Sequence, residues 1–120
     1  MARIMVVDDA QFIRTRISRL LTKHGYEIIE AKDGEEAVQI YRSVQPDVVL
    51  MDITMPRKDG LAALTEIHKF DPRAKVIMLT ALGQFSIAMQ ALKSGAKDFV
   101  VKPYDPERLT ETLQKTLEQS

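Results

Sequence analysis

The feature that most constrains this chain is an alternation of short apolar runs with segments whose apolar residues recur every three or four positions. Strand-like runs that alternate with helical spacing predict repeated βα units and a parallel sheet. The predicted strands are residues 4–7, 26–31, 47–52, 75–80 and 97–102. Runs one, three and four are almost entirely apolar, which indicates burial on both faces of the sheet. We therefore expect an α/β fold with a doubly wound, five-stranded parallel sheet of order 2-1-3-4-5.

The intervening segments carry helix start and stop signals. The first helix is expected from about Ala10 to His24, with Gly25 after its end. Asp33 followed by Glu36 has the spacing of a capping box, and Asp105-Pro106 supplies an N-cap with a first-turn proline. These signals agree with the helices that the apolar spacing predicts.

Length and charge limit the classes of function. A chain of 120 residues corresponds to one domain, expected over residues 1–120. The 17 basic residues balance the 17 acidic ones, so bulk charge predicts neither direct nucleic-acid binding nor attraction to a membrane. There is no cysteine and no apolar stretch of membrane-spanning length, and we expect a cytoplasmic monomer.

Polar residues follow four of the five apolar runs. They are Asp8 and Asp9, Asp52, Thr80, and Lys102. The carboxyl ends of strands in an open α/β sheet border the ligand-binding crevice, so these side chains are expected to converge at the switch point between strands one and three. Three carboxylates, a hydroxyl and an ammonium form a site suited to a hard cation and a phosphoryl group.

The three carboxylates predict a divalent cation. Neighbouring carboxylates raise one another's pKa unless a cation compensates them. Carboxylate, carbonyl and water ligands favour Mg²⁺, or Mn²⁺, over zinc. An aspartate can also attack phosphorus and form an acyl phosphate.

These residues occur within a set of short motifs that together cover the chain. The motifs are Val7-Asp8-Asp9, residues 51–56, Asp59-Gly60, Thr80-Ala81, residues 95–99 and Val101-Lys102-Pro103. The set resembles the receiver domain of two-component response regulators. Residues 83–86 and 91–95 are most similar to the stand-alone chemotaxis regulators of that family.

The resemblance assigns a role to each site residue. It implies that Asp52 is the phosphoacceptor, and that Asp8 and Asp9 hold Mg²⁺ together with the Thr54 backbone carbonyl. It also implies that Lys102 pairs with the phosphoryl group. Two further implied roles are that Thr80 reorients to hydrogen-bond the phosphoryl group and that Phe99 is the switch aromatic. The Lys102-Pro103 bond is commonly cis in such domains.

The resemblance also implies partners and an output. A sensor histidine kinase, here of the chemotaxis type, is the expected phosphoryl donor, and a flagellar motor switch protein is the expected target. The chain would catalyse its own phosphorylation and dephosphorylation while acting chiefly as a signalling protein. The surface formed by the fourth helix, fifth strand and fifth helix would change on phosphorylation. The alternative is a receiver domain separated from a DNA-binding transcriptional regulator.

Two enzyme-like or cofactor-binding readings fit less well. A flavodoxin-like (βα)5 flavin binder shares the architecture, but Asp8 and Asp9 would repel a phosphate dianion in its first loop. A haloacid-dehalogenase-type phosphatase needs a second aspartate two residues after its nucleophile, where this chain has Thr54.

Two positions near the expected site differ from the fastest-cycling chemotaxis regulators. Thr54 replaces an amide, and Leu82 replaces an acid. Neither should orient an attacking water as well, and Leu82 could shield the acyl phosphate, so we expect a longer-lived phosphorylated state. The basic side chains of the first helix are interpreted as a solvated face. They are Arg14, Arg16, Arg19 and Lys23.

Overall fold

The computed structural model describes residues 1–55 and 57–119 as five strands and five helices in strict alternation. Pro56, which the sequence places in the loop after the third strand, lies outside the described residues. The strands are β1 (Arg3–Val7), β2 (Glu27–Ala31), β3 (Val48–Asp52), β4 (Val76–Thr80) and β5 (Asp98–Val101). The helices are α1 (Gln11–Lys23), α2 (Gly34–Val44), α3 (Gly60–Phe70), α4 (Phe85–Lys93) and α5 (Pro106–Glu118).

The sheet is parallel throughout and has the strand order β2-β1-β3-β4-β5. This confirms the predicted doubly wound α/β fold. The order reverses direction between β1 and β3, so the loops that follow these strands diverge and leave a crevice at the carboxyl edge. Val7 pairs with Met51 next to that edge, which brings Asp8 and Asp52 to neighbouring positions.

The sheet separates two apolar cores. Alternate side chains of β1 point to opposite faces: Met5 packs with α2 and α3, while Ile4 packs with α1 and α5. Every residue of β3 and β4 is buried, as the continuous apolar runs predict for strands covered on both sides. Because both faces of the sheet are covered by apolar cores, the polar residues lie at its carboxyl edge.

The helix boundaries follow local hydrogen bonding. Asp33 caps α2 by accepting a bond from the Glu36 backbone N–H at 2.8 Å. The return bond of the expected capping box goes instead from the Lys32 N–H to Glu36 Oε1, at 3.0 Å. Asp105 caps α5 by accepting from the Glu107 N–H, with Pro106 in the first turn. The first helix begins and ends one residue inside its predicted limits.

Within the described residues, no helix combines the length and the apolar character that crossing a membrane requires. The Lys102-Pro103 peptide bond is cis, as the family resemblance implies.

Candidate functional site at the carboxyl edge of the sheet

Three carboxylates meet where β1 and β3 end. Asp8, Asp9 and Asp52 each contribute an oxygen atom, and these atoms lie within 4.8 Å of one another. Asp8 is 2% exposed and Asp52 is 7% exposed, whereas Asp9 faces solvent. The acidic cluster predicted from the strand ends is therefore present, with one member accessible from outside.

The oxygens of Asp8 are already hydrogen-bonded. Asp8 Oδ1 accepts from the Ala10 N–H at 2.9 Å, and Oδ2 lies 3.3 Å from Lys102 Nζ. The first bond turns the chain from β1 into α1. The second spans 94 positions of sequence and ties β1 to the loop after β5. Asp8 therefore organises the crevice as well as contributing charge to it.

Arg14 belongs to this network, and the interpretation of its side chain as part of a solvated face is wrong. Its side chain is 15% exposed. Arg14 Nη1 donates to the Asp8 carbonyl oxygen at 2.7 Å, and Nε pairs with Glu30 at 3.1 Å. The reason is geometric, because Arg14 lies one turn into α1 and can reach back over the β1 terminus. Apolar spacing alone gives no signal for such a contact.

Lys102 is the cation of the site. Its Nζ lies 2.9 Å from Asp52 Oδ1 and 3.3 Å from Asp8 Oδ2. Burial lowers the pKa of Lys102, but the hydrogen bond and charge of Asp52, with the charge of Asp8, raise it above its ordinary value. Lys102 is therefore an ammonium that bridges two carboxylates.

Lys102 does not fully compensate the burial of Asp52 and the negative charges of Asp8 and Asp9. Burial raises the pKa of Asp52, Lys102 lowers it, and the charges of Asp8 and Asp9 raise it again, leaving it above the ordinary value. An ionised Asp52 would gain stability from a further cation. The oxygen donors of the cluster suit Mg²⁺ or Mn²⁺, so the residues present fit the predicted metal.

The backbone after Asp52 is held against the start of α3. The Gly60 N–H donates to the Ile53 carbonyl at 2.7 Å, and a β-carbon at Gly60 would collide with the Asp52 carbonyl oxygen. Asp59 caps α3 through the Ala62 N–H at 2.8 Å. The Asp59-Gly60 pair therefore permits the close approach that positions the Asp52 backbone.

Thr80 lies on β4, the strand that pairs with β3 beside Asp52, and Phe99 lies on β5, one strand further along the sheet. Leu79 pairs with Asp52 between β3 and β4, so Thr80 is one residue beyond that pair; it is 2% exposed. Phe99, on β5, is half-buried and its ring meets Phe85 edge to face, with centroids 6.3 Å apart. Phe99 is thus both packed against the core and in contact with α4.

Thr54 and Leu82 lie on two loops of the same edge, and both are exposed. The Leu82 side chain is 83% exposed, and its expected shielding of an acyl phosphate stays a prediction. Thr54 Oγ1 accepts a hydrogen bond from Gln84 Nε2 at 2.7 Å. Sequence reasoning missed this role for Gln84, since no spacing rule connects residues 30 positions apart.

The chain is similar to known proteins along nearly its whole length. The family model described as "Response regulator receiver domain" matches residues 4–114. "Chemotaxis protein CheY" of Thermotoga maritima is 49% identical over 114 residues, covering 94% of this chain and 95% of that protein.

Solved structures give the same result. The crystal structure of the receiver domain of NtrX from Brucella abortus has a TM-score of 0.94 at 36% identity, with coverage of 98% of this chain and 99% of that one. The CheX-CheY-BeF3-Mg+2 complex from Borrelia burgdorferi contains a chain with a TM-score of 0.93 at 37% identity, with coverage of 98% and 90%.

Proposed function

The chain belongs to the response regulator receiver domain family, and from that premise we propose that it is a switch activated by phosphorylation of Asp52. The acidic crevice would bind Mg²⁺, and a sensor histidine kinase would supply the phosphoryl group. Asp8, Asp9, Asp52 and the Thr54 carbonyl form the proposed metal site, in which Asp8 acts through water. Receiver domains act between kinases and downstream effectors, and the similarity to chemotaxis CheY proteins favours a chemotaxis pathway.

The observation that carries this proposal is the pairing of Asp52 with Lys102 inside the acidic cluster. A carboxylate oxygen and an ammonium lie 2.9 Å apart in a crevice that two further aspartates border. The arrangement supplies a nucleophile together with positive charge for phosphoryl oxygens.

The transfer requires one bond to form and one to break. An Asp52 carboxylate oxygen attacks phosphorus, and the bond from phosphorus to the donor's leaving atom breaks, with the electron pair going to the leaving group. With acetyl phosphate the leaving group is acetate. Bound Mg²⁺ would neutralise charge on the phosphoryl oxygens, and Lys102 would move from the carboxylate oxygen of Asp52 to one of them.

Hydrolysis of the acyl phosphate restores the Asp52 carboxylate. Water attacks phosphorus, the bond between phosphorus and the Asp52 oxygen breaks, and orthophosphate leaves. Both steps occur on Asp52 itself, so the protein is its own catalyst and substrate. The output of the cycle is the conformation that the protein holds while Asp52 is phosphorylated.

The β4–α4 connection offers a route from the site to the surface. Thr80 ends β4, four residues lie between it and Phe85 at the start of α4, and Phe85 contacts Phe99 on β5. We propose that a phosphoryl group on Asp52 draws the Thr80 hydroxyl inward, and that Phe99 and α4 then shift between two arrangements.

The α4–β5 face has the apolar exposure of a binding surface. Among the described residues, eight large hydrophobic side chains are more than a third exposed, and five of them fall between residues 82 and 101. They are Leu82, Phe85, Ile87, Met89 and Val101. Grouped apolar exposure favours protein binding. A flagellar motor switch protein is the proposed target, and a monomer in the cytoplasm is the proposed state.

A stand-alone receiver is favoured over a domain cut from a DNA-binding regulator. The match to the Thermotoga chemotaxis protein spans 95% of that protein. The formal net charge is zero, so the chain lacks the overall basic field that attracts DNA. We propose that residues 1–120 work as one receiver domain.

Acetyl phosphate with Mg²⁺ tests the proposed chemistry. Intact mass should increase by one phosphoryl group, and the adduct should be stable to acid and labile to base. Asp52→Asn and chelation of the metal should each abolish it. An adduct of the same mass in Asp52→Asn would contradict the assignment of the acceptor.

A further inference from the structure

Gln84 holds the two loops that border Asp52 together. It lies directly before α4, and its side chain does not cap that helix. Instead, Oε1 accepts from the Ala81 N–H at 2.8 Å and Nε2 donates to Thr54 Oγ1 at 2.7 Å. One carboxamide therefore links the residue after Thr80 to the residue two positions after Asp52.

The Ala81 N–H points toward the phosphoacceptor side of β4. Along a strand, successive backbone groups point alternately to the two neighbouring strands. The Leu79 carbonyl accepts from the Ile53 N–H on the β3 side, and the Thr80 carbonyl accepts from the Lys102 N–H on the β5 side. The Ala81 N–H therefore returns to the β3 side, where the chain has turned away after Asp52.

The β3 strand leaves this donor without its usual partner. A continued ladder would offer it the Ile53 carbonyl, but that oxygen accepts from the Gly60 N–H at 2.7 Å. Gln84 Oε1 takes the vacant place. The Ala81 N–H is thus a backbone donor at the mouth of the crevice that a flexible side chain, rather than the sheet, satisfies.

A turn from Ala81 to Gln84 brings the Gln84 side chain close to the Ala81 N–H. The Gln84 N–H donates to the Ala81 carbonyl at 3.2 Å, and Gly83 has a φ of +89°, which suits glycine at the third position of the turn. Gln84 consequently engages both backbone groups of Ala81. Release of its side chain would leave the turn closed by the backbone bond.

We propose that the Gln84 carboxamide is a latch: it occupies the Ala81 N–H in the unphosphorylated protein and must leave before a phosphoryl oxygen on Asp52 can accept from that donor. The inference rests on the proposed function, because it needs a phosphoryl group at Asp52. Gln84 is a positioning residue in this account. Its departure would also free Thr54 and loosen the start of α4 beside Phe85.

The latch predicts the opposite sign from a simple structural support. If Gln84 only stabilised the turn, its removal would weaken binding of a phosphoryl analogue, because a loosened loop must then be ordered. Removal of a latch should strengthen binding, since one competing hydrogen bond no longer has to be exchanged. The expected gain is about threefold to tenfold, the range for one exchanged hydrogen bond.

Titration of the full chain with beryllofluoride and Mg²⁺, followed by amide NMR, tests the latch. Gln84→Ala and Gln84→Met should lower the half-saturating concentration, while substitution of an exposed glutamine within α4, Gln90→Ala, should not change it. The Gln84 side-chain NH₂ signals of the wild type should move toward the position of a solvated amide on saturation.

Four outcomes separate the latch from the proposed function. Equal or weaker binding in both Gln84 variants relative to Gln90→Ala would overturn the latch. Unchanged Gln84 side-chain signals on saturation would overturn it as well. Failure of beryllofluoride to bind wild type, or equal binding by Asp52→Asn, would instead contradict the proposed function.

Discussion

At the scale of single residues, the three aspartates differ in how far their oxygens are already used. Asp8 accepts from the Ala10 N–H and pairs with Lys102, and Asp52 also pairs with Lys102. Asp9 is exposed, with an oxygen close to the other two carboxylates. Asp9 is therefore the carboxylate most accessible to an incoming cation, and we expect Asp8 to act through water.

This difference predicts an order of metal affinity. Asp9→Asn should weaken Mn²⁺ binding by about 100-fold and Asp8→Asn by about tenfold, because loss of a direct ligand exceeds loss of a residue that acts through water. Titration followed by electron paramagnetic resonance of free Mn²⁺ measures both. The reverse order would refute this division of roles.

The presence of Thr54 and Leu82 beside the site leads us to expect a long-lived phosphorylated state. The Thr54 side chain is shorter than an amide, and the Leu82 side chain offers no hydrogen bond and projects into solvent, so neither is suited to orient a water for attack on phosphorus. Thr54→Asn and Leu82→Glu should shorten the lifetime by several-fold to about tenfold, equivalent to roughly one kcal/mol of barrier.

The measurement is loss of the phosphoryl group at fixed Mg²⁺ after the donor is removed. Ala62→Ser, which adds a hydroxyl at an exposed position of α3, provides a control for surface substitution. Decay at the wild-type rate in both Thr54→Asn and Leu82→Glu would show that water positioning by these residues does not set the lifetime.

The identities of the residues predicted which side chains lie close together but not which hydrogen bonds they make. Strand ends and the switch-point rule predicted that Asp8, Asp9 and Asp52 would converge, because strand order alone brings them to one edge. The contacts of Arg14 and Gln84 depend on side-chain reach across loops, for which a single sequence carries no periodic signal.

At the scale of secondary structure, the elements were predictable because local and long-range signals agree. Continuous apolar runs became β3 and β4, and aspartates at the predicted caps accept from backbone N–H groups of α2 and α5. Contacts between helices were less predictable from the sequence. Tyr41 of α2 donates to Asp71 at the end of α3, at 2.8 Å, a contact that no sequence pattern indicated.

The Tyr41–Asp71 bond predicts a stability effect that depends on pH. Tyr41→Phe should lower the free energy of unfolding by about 1 kcal/mol at neutral pH, because a hydrogen bond of a buried hydroxyl is lost. Burial raises the pKa of Tyr41, and the hydrogen bond and charge of Asp71 raise it further.

A raised pKa in the folded state fixes the direction of the pH effect. The protonated hydroxyl contributes fully below the pKa of an unfolded tyrosine, near pH 10, and the contribution is lost as pH rises above it. The stability difference between wild type and Tyr41→Phe should therefore shrink above about pH 10. Urea denaturation at neutral pH and at a pH above about 10 tests this, with Tyr26→Phe as the control. A difference that grows with pH would contradict it.

At the scale of the whole molecule, the sheet edge and the apolar face are joined by a short path. Lys102 follows β5 directly and reaches Asp52, while Phe99 lies earlier on the same strand and contacts α4. The site and the face therefore share β5 as well as the loop after β4. A change at Asp52 therefore has two routes to the α4–β5 surface, one through Lys102 and β5 and one through Thr80 and the loop after β4.

The central claim is that a phosphoryl group at Asp52 switches this surface through Thr80. The direct measurement is amide NMR of wild type, Thr80→Ala and Thr80→Ser, each with and without saturating beryllofluoride and Mg²⁺. In wild type and Thr80→Ser, which keeps the hydroxyl, signals should change around Asp52 and also at Phe99 and along α4. In Thr80→Ala the changes should remain near Asp52 and be lost at Phe99 and α4. Wild-type changes confined to the loops around Asp52, or an unaltered response at Phe99 and α4 in Thr80→Ala, would contradict the account.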